Sequence, residues 1–447
     1  MPLDALHAPV PTTPEEAGFE RCDVLVIGGG PGGSTAAALL AERGRKVVLL
    51  EKDAHPRFHI GESLLPQNLR LFERLGIAEE VRALGVYKPG ASFISDEHGK
   101  RVSFTFANAL NATYDHSYQV RRAEFDALLF RTAAARGAEA LDGWRVMEVA
   151  VDPVRGSRVV ARNAACEERR WLARYVVDAS GRDTVLATQM GGKQRNPHNN
   201  TAALYAHFRG VAPCEGCHEG NITVHLLEEG WCWMIPLPDG ITSIGIVSTP
   251  EFFKRRKGSP EEYLLASLFR APSARARLAN ATLASPVTTT GNYSYRSRTM
   301  RGEGWLMVGD AFAFVDPVFS SGVMLAMASA ELGAEAVDAW LDDPRRAEPL
   351  LRTFERKVSR AVGSLSWLIY RINRPVLRDM FMQPSNRFRM RDGLVSLLAG
   401  DVHANTDRQL PVLAFKATYA LLSLAHRLGG YRLRPEGLVK LPAAAPG

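Results

Sequence analysis

Residue types and their spacing point first to a nucleotide site. In Asp23 to Gly33, DVLVIGGGPGG, an apolar run leads straight into Gly28-x-Gly30-x-x-Gly33, and STAAALLAERG follows with helical patterning. Glycine lets the strand turn tightly at Gly28, lets backbone approach a pyrophosphate at Gly30, and lets the helix pack close to the strand at Gly33. The helix start around Pro31, Gly32 and Gly33 offers free amides and the positive end of a dipole to phosphates. A second apolar run, KVVLLEK, ends in Glu51 and Lys52. The Glu51 carboxylate stands where an acid can accept from a ribose hydroxyl. Strand, glycine turn, helix and acid in this order predict dinucleotide binding rather than a plain turn.

Two further segments belong with this one. Tyr175 to Gly181, YVVDASG, reads as a strand ending at Asp178 and turning at Gly181. Trp305 to Asp310, WLMVGD, reads as another strand of the same sheet. It continues as GDAFAFVDPVFSSG and then a helical stretch, whose first turn offers amides beside Ser320, Ser321 and Gly322. Elsewhere, GWCWMIPL at Gly230 to Leu237 sets Trp231 and Trp233 two apart. A period of two on a strand turns both indoles to one side as a bulky wall. An ordinary half-buried sheet is the structural alternative.

A chain of 447 residues is long enough for two or three packing units. With 46% hydrophobic and 23% charged residues it should fold as a conventional globular enzyme. The first twenty residues show no charged head followed by an apolar run, so a flexible tail is expected there and no secretion signal. No apolar run reaches the length of a membrane span. Five cysteines in this length do not make a disulfide framework, which fits a cytoplasmic protein. Cys214-Glu-Gly-Cys217-His218 spells a haem-attachment pattern. With no second cysteine pair for zinc it reads as a surface turn, and no metal is expected.

Towards the C-terminus, Leu351, Phe354, Val358, Val362, Leu365, Ile369 and Ile372 recur at three and four, which predicts one amphipathic helix ended or kinked by Pro375. After a loop around Gln383 to Gly393, Leu413 to Leu428 predicts another. Residues 344 to 393 hold twelve Lys or Arg against four Asp or Glu. That excess could steer an acidic partner or simply solvate a helical face. Nucleic acid is not expected, since no binding motif or interleaved aromatics accompany the charge.

The glycine loop with its acid, VRRAEFD at Val120 to Asp126, DASG and GDAxxxxDP together resemble the para-hydroxybenzoate-hydroxylase type of flavoprotein. The resemblance implies bound FAD, with Arg122, Asp178, Gly181, Asp310 and Pro317 among the residues around it. Within that type, Trp231-Cys232-Trp233-Met234-Ile235-Pro236 resembles the Trp-x-Trp-x-Ile-Pro signature of the flavin-dependent halogenases. There the indole wall keeps the organic substrate from the oxidant formed on reduced flavin, and halide reaches it instead. A lysine then holds and aims hypohalous acid. GESLLPQNLRLFERLGI followed by VYKPGASF resembles the phenol and pyrrole branch, which makes Lys88 the candidate and Gly61, Glu62 and Ser63 pocket lining. Burial would lower the lysine's pKa towards a useful range. Ser320, Ser321 and Gly322 fall on the segment whose amides hold the halide. Phe319 stands where the tryptophan-halogenase branch has a catalytic Glu, so free tryptophan is the poorer substrate expectation.

The expected fold is α/β, a Rossmann-like FAD-binding domain with an inserted β-sheet substrate domain and a helical C-terminal region. Residues 21–85, 115–190 and 296–340 are assigned to the first, 86–114 and 191–295 to the second, and 341–447 to the third. The expected activity is FADH2-dependent chlorination or bromination of an electron-rich arene, using O2, halide and a separate flavin reductase. The arene is of the phenol or pyrrole type, free or held on an acyl or peptidyl carrier protein. An FAD-dependent aromatic monooxygenase shares every flavin motif and is the alternative. A flavin-binding pathway partner without halogenating activity is a third reading.

Overall fold

The computed structural model describes residues 18–196, 200–214, 216–291, 294–402 and 405–429. Most of the expected N-terminal tail, Glu215 of the cysteine motif and the closing LPAAAPG lie outside the described residues. The chain packs as two units interleaved in sequence. The first takes Met1–Gly85, Val120–Asn200 and Asn292–Ser366; the second takes Val86–Gln119, Thr201–Gly291 and Trp367–Gly447. In these units the described residues 341–366 fall in the first and 367–429 in the second. Residues 193–195 join the first unit because Lys193–Arg195 pairs with Tyr295–Ser297.

The first unit is built on a parallel sheet. Strand Glu20–Ile27 lies between Val47–Leu50 and Glu168–Asp178, with Trp305–Met307 beyond the latter and Glu139–Leu141 beyond the former. The runs VLVI and VVLL are buried throughout, as strands covered on both faces require. Helix Pro31–Glu42 packs against helices Arg122–Ala135 and Gly322–Asp342. Its alanines 36 to 38 are fully buried, since small side chains let helices approach closely. Pro31 opens the helix, where its missing N–H costs no hydrogen bond.

The second unit has a sheet in the order Thr282–Leu283, Ala202–Arg209, Ile241–Ser248, Gly230–Pro236, Ile222–Leu227, Gly90–Ser95 and Lys100–Thr105. Helices Pro250–Lys254, Pro260–Phe269 and Pro272–Arg277 follow the central strands. One sheet face sends Leu204, Ala206, Cys232, Met234, Ile244 and Ile246 into a cluster with Phe252, Leu264, Leu268 and Ala274 from those helices. The opposite face carries the alternate residues of the same strands.

The long C-terminal helix runs Pro344–Ile369, and Pro375 opens the next, Pro375–Met382. Within the stretch expected as a loop, a helix begins at Met390 and runs to Leu398. Its Gly393 hid it in the sequence; a Cβ there would press on Pro411, so the glycine serves close packing against helix Leu410–Arg427. Among the described residues no helix is long and apolar enough to cross a membrane.

Candidate functional site

The glycine loop has the geometry its spacing predicts. Gly28 has φ +101°, and a Cβ on it would collide with the Ala179 carbonyl; one on Gly33 would collide with the Gly28 carbonyl. Gly30 is different. The nearest atom to an added Cβ is an Arg57 guanidinium nitrogen at 3.6 Å, so its backbone faces open space beside a cation. Gly32 makes only ordinary contacts, with Val308 and Ala326. Glu51 is buried, and its Oε2 accepts from the Gly29 amide at 2.8 Å and from Arg57 at 3.1 Å, while Oε1 accepts from the Asp53 amide. It therefore shapes the loop itself. Lys52 pairs with Asp183 at 2.6 Å at the surface.

Arg57 and Arg122 meet on one buried carboxylate. Arg57 reaches Asp126 at 3.1 Å, and Arg122 grips both Asp126 oxygens at 2.8 and 3.0 Å while donating to the Ile60 carbonyl at 2.8 Å. Burial pushes the Asp126 carboxyl up, but Arg122, His59 and Arg57 outweigh it and hold it below the usual range. Burial, reinforced by Arg122, lowers His59 to about 4, so this histidine is neutral. The network fixes the Ile60–Ser63 segment, where Glu62 and Ser63 are buried and the Glu62 carbonyl accepts from the Val120 amide.

Asp178 turns inward. Its oxygens accept from the Ser180 and Leu186 amides at 2.9 and 2.8 Å, closing the turn at Gly181, which has φ +60°. Among the described residues, Asp310, at the end of the neighbouring strand, has no protein hydrogen bond to its carboxylate, although Tyr295 donates to its carbonyl. Burial pushes its carboxyl up to about 7 against the pull of Arg122 and Arg182. An enclosed acid without a donor, an open glycine edge and free helix amides fit a dinucleotide whose hydroxyls and phosphates would supply the missing partners.

Beyond Asp310 the chain turns through Pro317–Phe319, held by Asp316 accepting from the Val318 amide at 3.2 Å. Ser320 takes a left-handed φ of +58°, and Ser321 sits at the cap of the 21-residue helix Gly322–Asp342. The Ser321 hydroxyl is buried, caps no amide and has no hydrogen-bond partner among the described residues. Nothing lies within 4 Å of a Cβ added at Gly322. Orphan amides at a helix start beside an unpartnered hydroxyl suit a small anion.

In the second unit the two tryptophans do share a face. Trp231 and Trp233 are buried with ring centroids 5.8 Å apart at 46°. Trp233 donates to Ser243 Oγ at 3.2 Å, lies 6.0 Å from Tyr205, and covers Gly245, where any Cβ would strike the indole. Lys88 ends strand Gly85–Lys88, which forms a two-stranded sheet with Ser117–Val120, and the chain then enters Gly90–Ser95 of the tryptophan sheet. Its side chain is almost fully buried, with Nζ 5.3 Å from the Phe106 ring centroid. Burial alone lowers its amine from 10.5 to about 7.

Residues 21–362 match a family described as FAD binding domain. A flavin-dependent halogenase of Penicillium aethiopicum is 33% identical over 365 residues, covering 76% of this chain and 68% of that protein. The solved myxobacterial chondrochloren halogenase, described as a variant of FAD-dependent halogenases, is 31% identical with a TM-score of 0.76, covering 90% of this chain and 97% of that one. The chain belongs to the flavin-dependent halogenase family. FAD is its cofactor, and the unpartnered Asp310 and open Gly30 edge are where this halogenase-family chain would hold it. A tryptophan 2-halogenase of Chondromyces crocatus is 38% identical over 322 residues, covering 70% of this chain and 60% of that relative's length. A 1H-pyrrole-2-carbonyl-[peptidyl-carrier protein] chlorinase of Pseudomonas fluorescens is 29% identical, covering 88% of this chain and 91% of that protein.

Sequence reasoning missed three parts of this halogenase fold. Arg57 and Asp126 link segments far apart in sequence. Ser243 and Gly245 seat Trp233 from the neighbouring strand. Arg378 is buried without a carboxylate partner; it donates to the carbonyls of Leu227 at 2.6 Å and Gly230 at 3.0 Å and so clamps the hairpin that leads into Trp231. Only Gly245 left a local trace, as a glycine inside a strand pattern. Of the cysteine motif, Cys214 is buried against Thr223, and the Cys217 side chain lies outside the described residues.

Proposed function

We propose that this chain chlorinates or brominates an electron-rich arene, with Lys88 directing hypohalous acid. The observation that carries the reading is the Lys88 amine, buried and lowered to about 7 in the same unit as the tryptophan pair. A surface lysine would stay charged and hydrated, whereas this one moves between ammonium and free amine near neutrality. It can hydrogen-bond hypohalous acid in the first form or carry the halogen in the second.

Bound reduced FAD supplies, with O2, the oxidising equivalents that turn chloride or bromide into hypohalous acid. The chain's own residues do the rest. Amides around Ser320, Ser321 and Gly322, with the Ser321 hydroxyl, hold the halide. Arg122 and Arg57 fix the Ile60–Ser63 segment that would line the cofactor, with Glu51 and Gly28 to Gly33 shaping the phosphate loop. Trp231 and Trp233 bar the bulky arene and pass only the small oxidised halogen. A separate reductase is the proposed source of reduced flavin, and the cytoplasm the proposed compartment, consistent with Cys22, Cys166, Cys214 and Cys232 being unpaired.

A phenol or pyrrole is the proposed arene, free or carrier-bound. Phe319, buried where a carboxylate would assist weaker substrates, supports an arene activated by its own substituents. An indole is the second reading, favoured by the 38% identical tryptophan 2-halogenase. Purified protein with FAD, a flavin reductase, NADH, O2 and bromide, offered phenols, tryptophan and free or carrier-bound pyrrole, tests all of these by mass spectrometry. The paired bromine isotope pattern in one product establishes the activity and the arene together. A gain of one oxygen without bromine makes the chain a hydroxylase.

A further inference from the structure

Helix Leu410–Arg427 packs through Val412 and Phe415, with Phe415 and Tyr419 against Trp367 at 6.3 and 5.3 Å. Its other side is unusual. Leu410, Leu413, Leu421, Leu424 and Leu428 are 48–77% exposed, and exposed Ala417 completes a stripe at spacings of three and four. Single surface leucines need no explanation, but a continuous apolar stripe marks an interaction site. Spacing alternating between three and four is the seam that another helix fills.

The charge on this helix and on the segments packed against it says which helix. Helix Leu410–Arg427 contains no Asp or Glu. Among the described residues from 367 to 429, the carboxylates Asp379, Asp392, Asp401 and Asp407 are all buried or partly buried, while Arg374, Arg387, Arg389, Arg408 and Arg427 are exposed. A second copy would bring cations to cations and gain no ion pair across the seam. A membrane-surface helix carries its Lys and Arg on its own polar face. This helix holds few, and most of the exposed cations lie on neighbouring segments. An acidic helix satisfies both the seam and the surrounding charge.

We infer that helix Leu410–Arg427 docks an acidic helix of the carrier domain that presents the arene. The inference rests on the carrier-bound form of the proposed reading. It is tested with the FAD-loaded full chain and a peptidyl carrier protein charged with pyrrole-2-carbonyl. The variant is Leu421→Glu with Leu424→Glu, two exposed positions whose change leaves the thermal melt in place. The wild type is expected to bind the carrier protein by titration calorimetry, at least tenfold more weakly in 300 mM than in 50 mM salt. The double variant should lose at least tenfold in binding and in turnover of the tethered pyrrole, with free-arene turnover within twofold of wild type. Arg427→Glu should weaken binding, and a carrier protein with a charge-reversed helix should restore it.

Equal binding by the double variant overturns the inference. So does a wild-type dimer in sedimentation that the double variant dissolves, which would make the occupant a second copy, or binding to phosphatidylserine vesicles without binding to the carrier. Absence of bromine in every free arene would fail the proposed activity, and the calorimetric result on docking would stand apart from it.

Discussion

Lys88→Met separates what the lysine does for the fold from what it does for chemistry. Burial lowers the Lys88 amine from 10.5 to about 7. At about 1.36 kcal/mol per pH unit, that is an upper bound of about 5 kcal/mol for keeping the ammonium in the fold. The unfolded chain keeps the proton between pH 7 and 10.5 while the folded chain gives it up, so the wild type gains stability as pH rises through that window. Below pH 7 both states are protonated and the whole penalty applies. Methionine fills similar volume without charge. The variant should therefore be more stable than wild type at pH 6, by several kcal/mol and no more than the bound, and the advantage should close by pH 10.5. Urea titrations followed by tryptophan fluorescence at the two pH values read this. Halogenation should be lost, with FAD binding and oxygen consumption by reduced flavin retained. A variant less stable than wild type at pH 6 would refute the burial argument. One that still brominates would refute the catalytic assignment.

Three further outcomes follow from named contacts. Gly245→Ala drives a Cβ into the Trp233 indole and should cost about 1–3 kcal/mol as overpacking; denaturant titration measures it, and displacement of Trp233 should shift product from halogenated towards oxygenated arene. Asp310→Asn should weaken FAD binding roughly tenfold, the loss of one hydrogen bond to a charged group. Because the Asp310 carboxyl is raised to about 7, its contribution to apoprotein stability falls as pH rises from its ordinary value through 7, so the variant's apoprotein should melt higher than wild type above pH 7. Arg378→Ala leaves the Leu227 and Gly230 carbonyls unpaired at about 1–3 kcal/mol each; the melt should fall accordingly, with partial recovery in Arg378→Lys.

What could be read in the sequence was what constrains residue type locally. Gly28 and Gly33 admit no side chain because backbone passes too close, and that leaves glycine at fixed spacing. VLVI and VVLL announce strands covered on both faces, and Trp231 and Trp233 keep the strand period. The unread part depends on chain reversal. Arg57, Asp126 and Glu51 form one ion network only because the sheet brings residues 51, 57 and 126 together. Arg378 counted as one of twelve cations in a basic stretch, although it is buried and spends its charge on carbonyls. No local pattern marked Lys88 as buried; a lysine between tyrosine and proline looks like any surface residue until the fold buries it beside Phe106.

The tryptophan strand explains why this sheet tolerates such groups. Cys232 and Met234 pack one face into the cluster with Phe252, Leu264 and Leu268, which fixes the strand's height and register. The other face is then free to carry indoles whose orientation is set by Ser243, Gly245 and, through the hairpin, Arg378. Two buried cations, Lys88 lowered to about 7 and Arg378 lowered by burial, weaken this unit relative to apolar residues of the same size. Packing on the helix-covered face offsets that cost. A core packed on one face and indoles carried on the other is the arrangement expected where stability has been traded for a site, and under the proposed reading it makes the tryptophan face the one to probe.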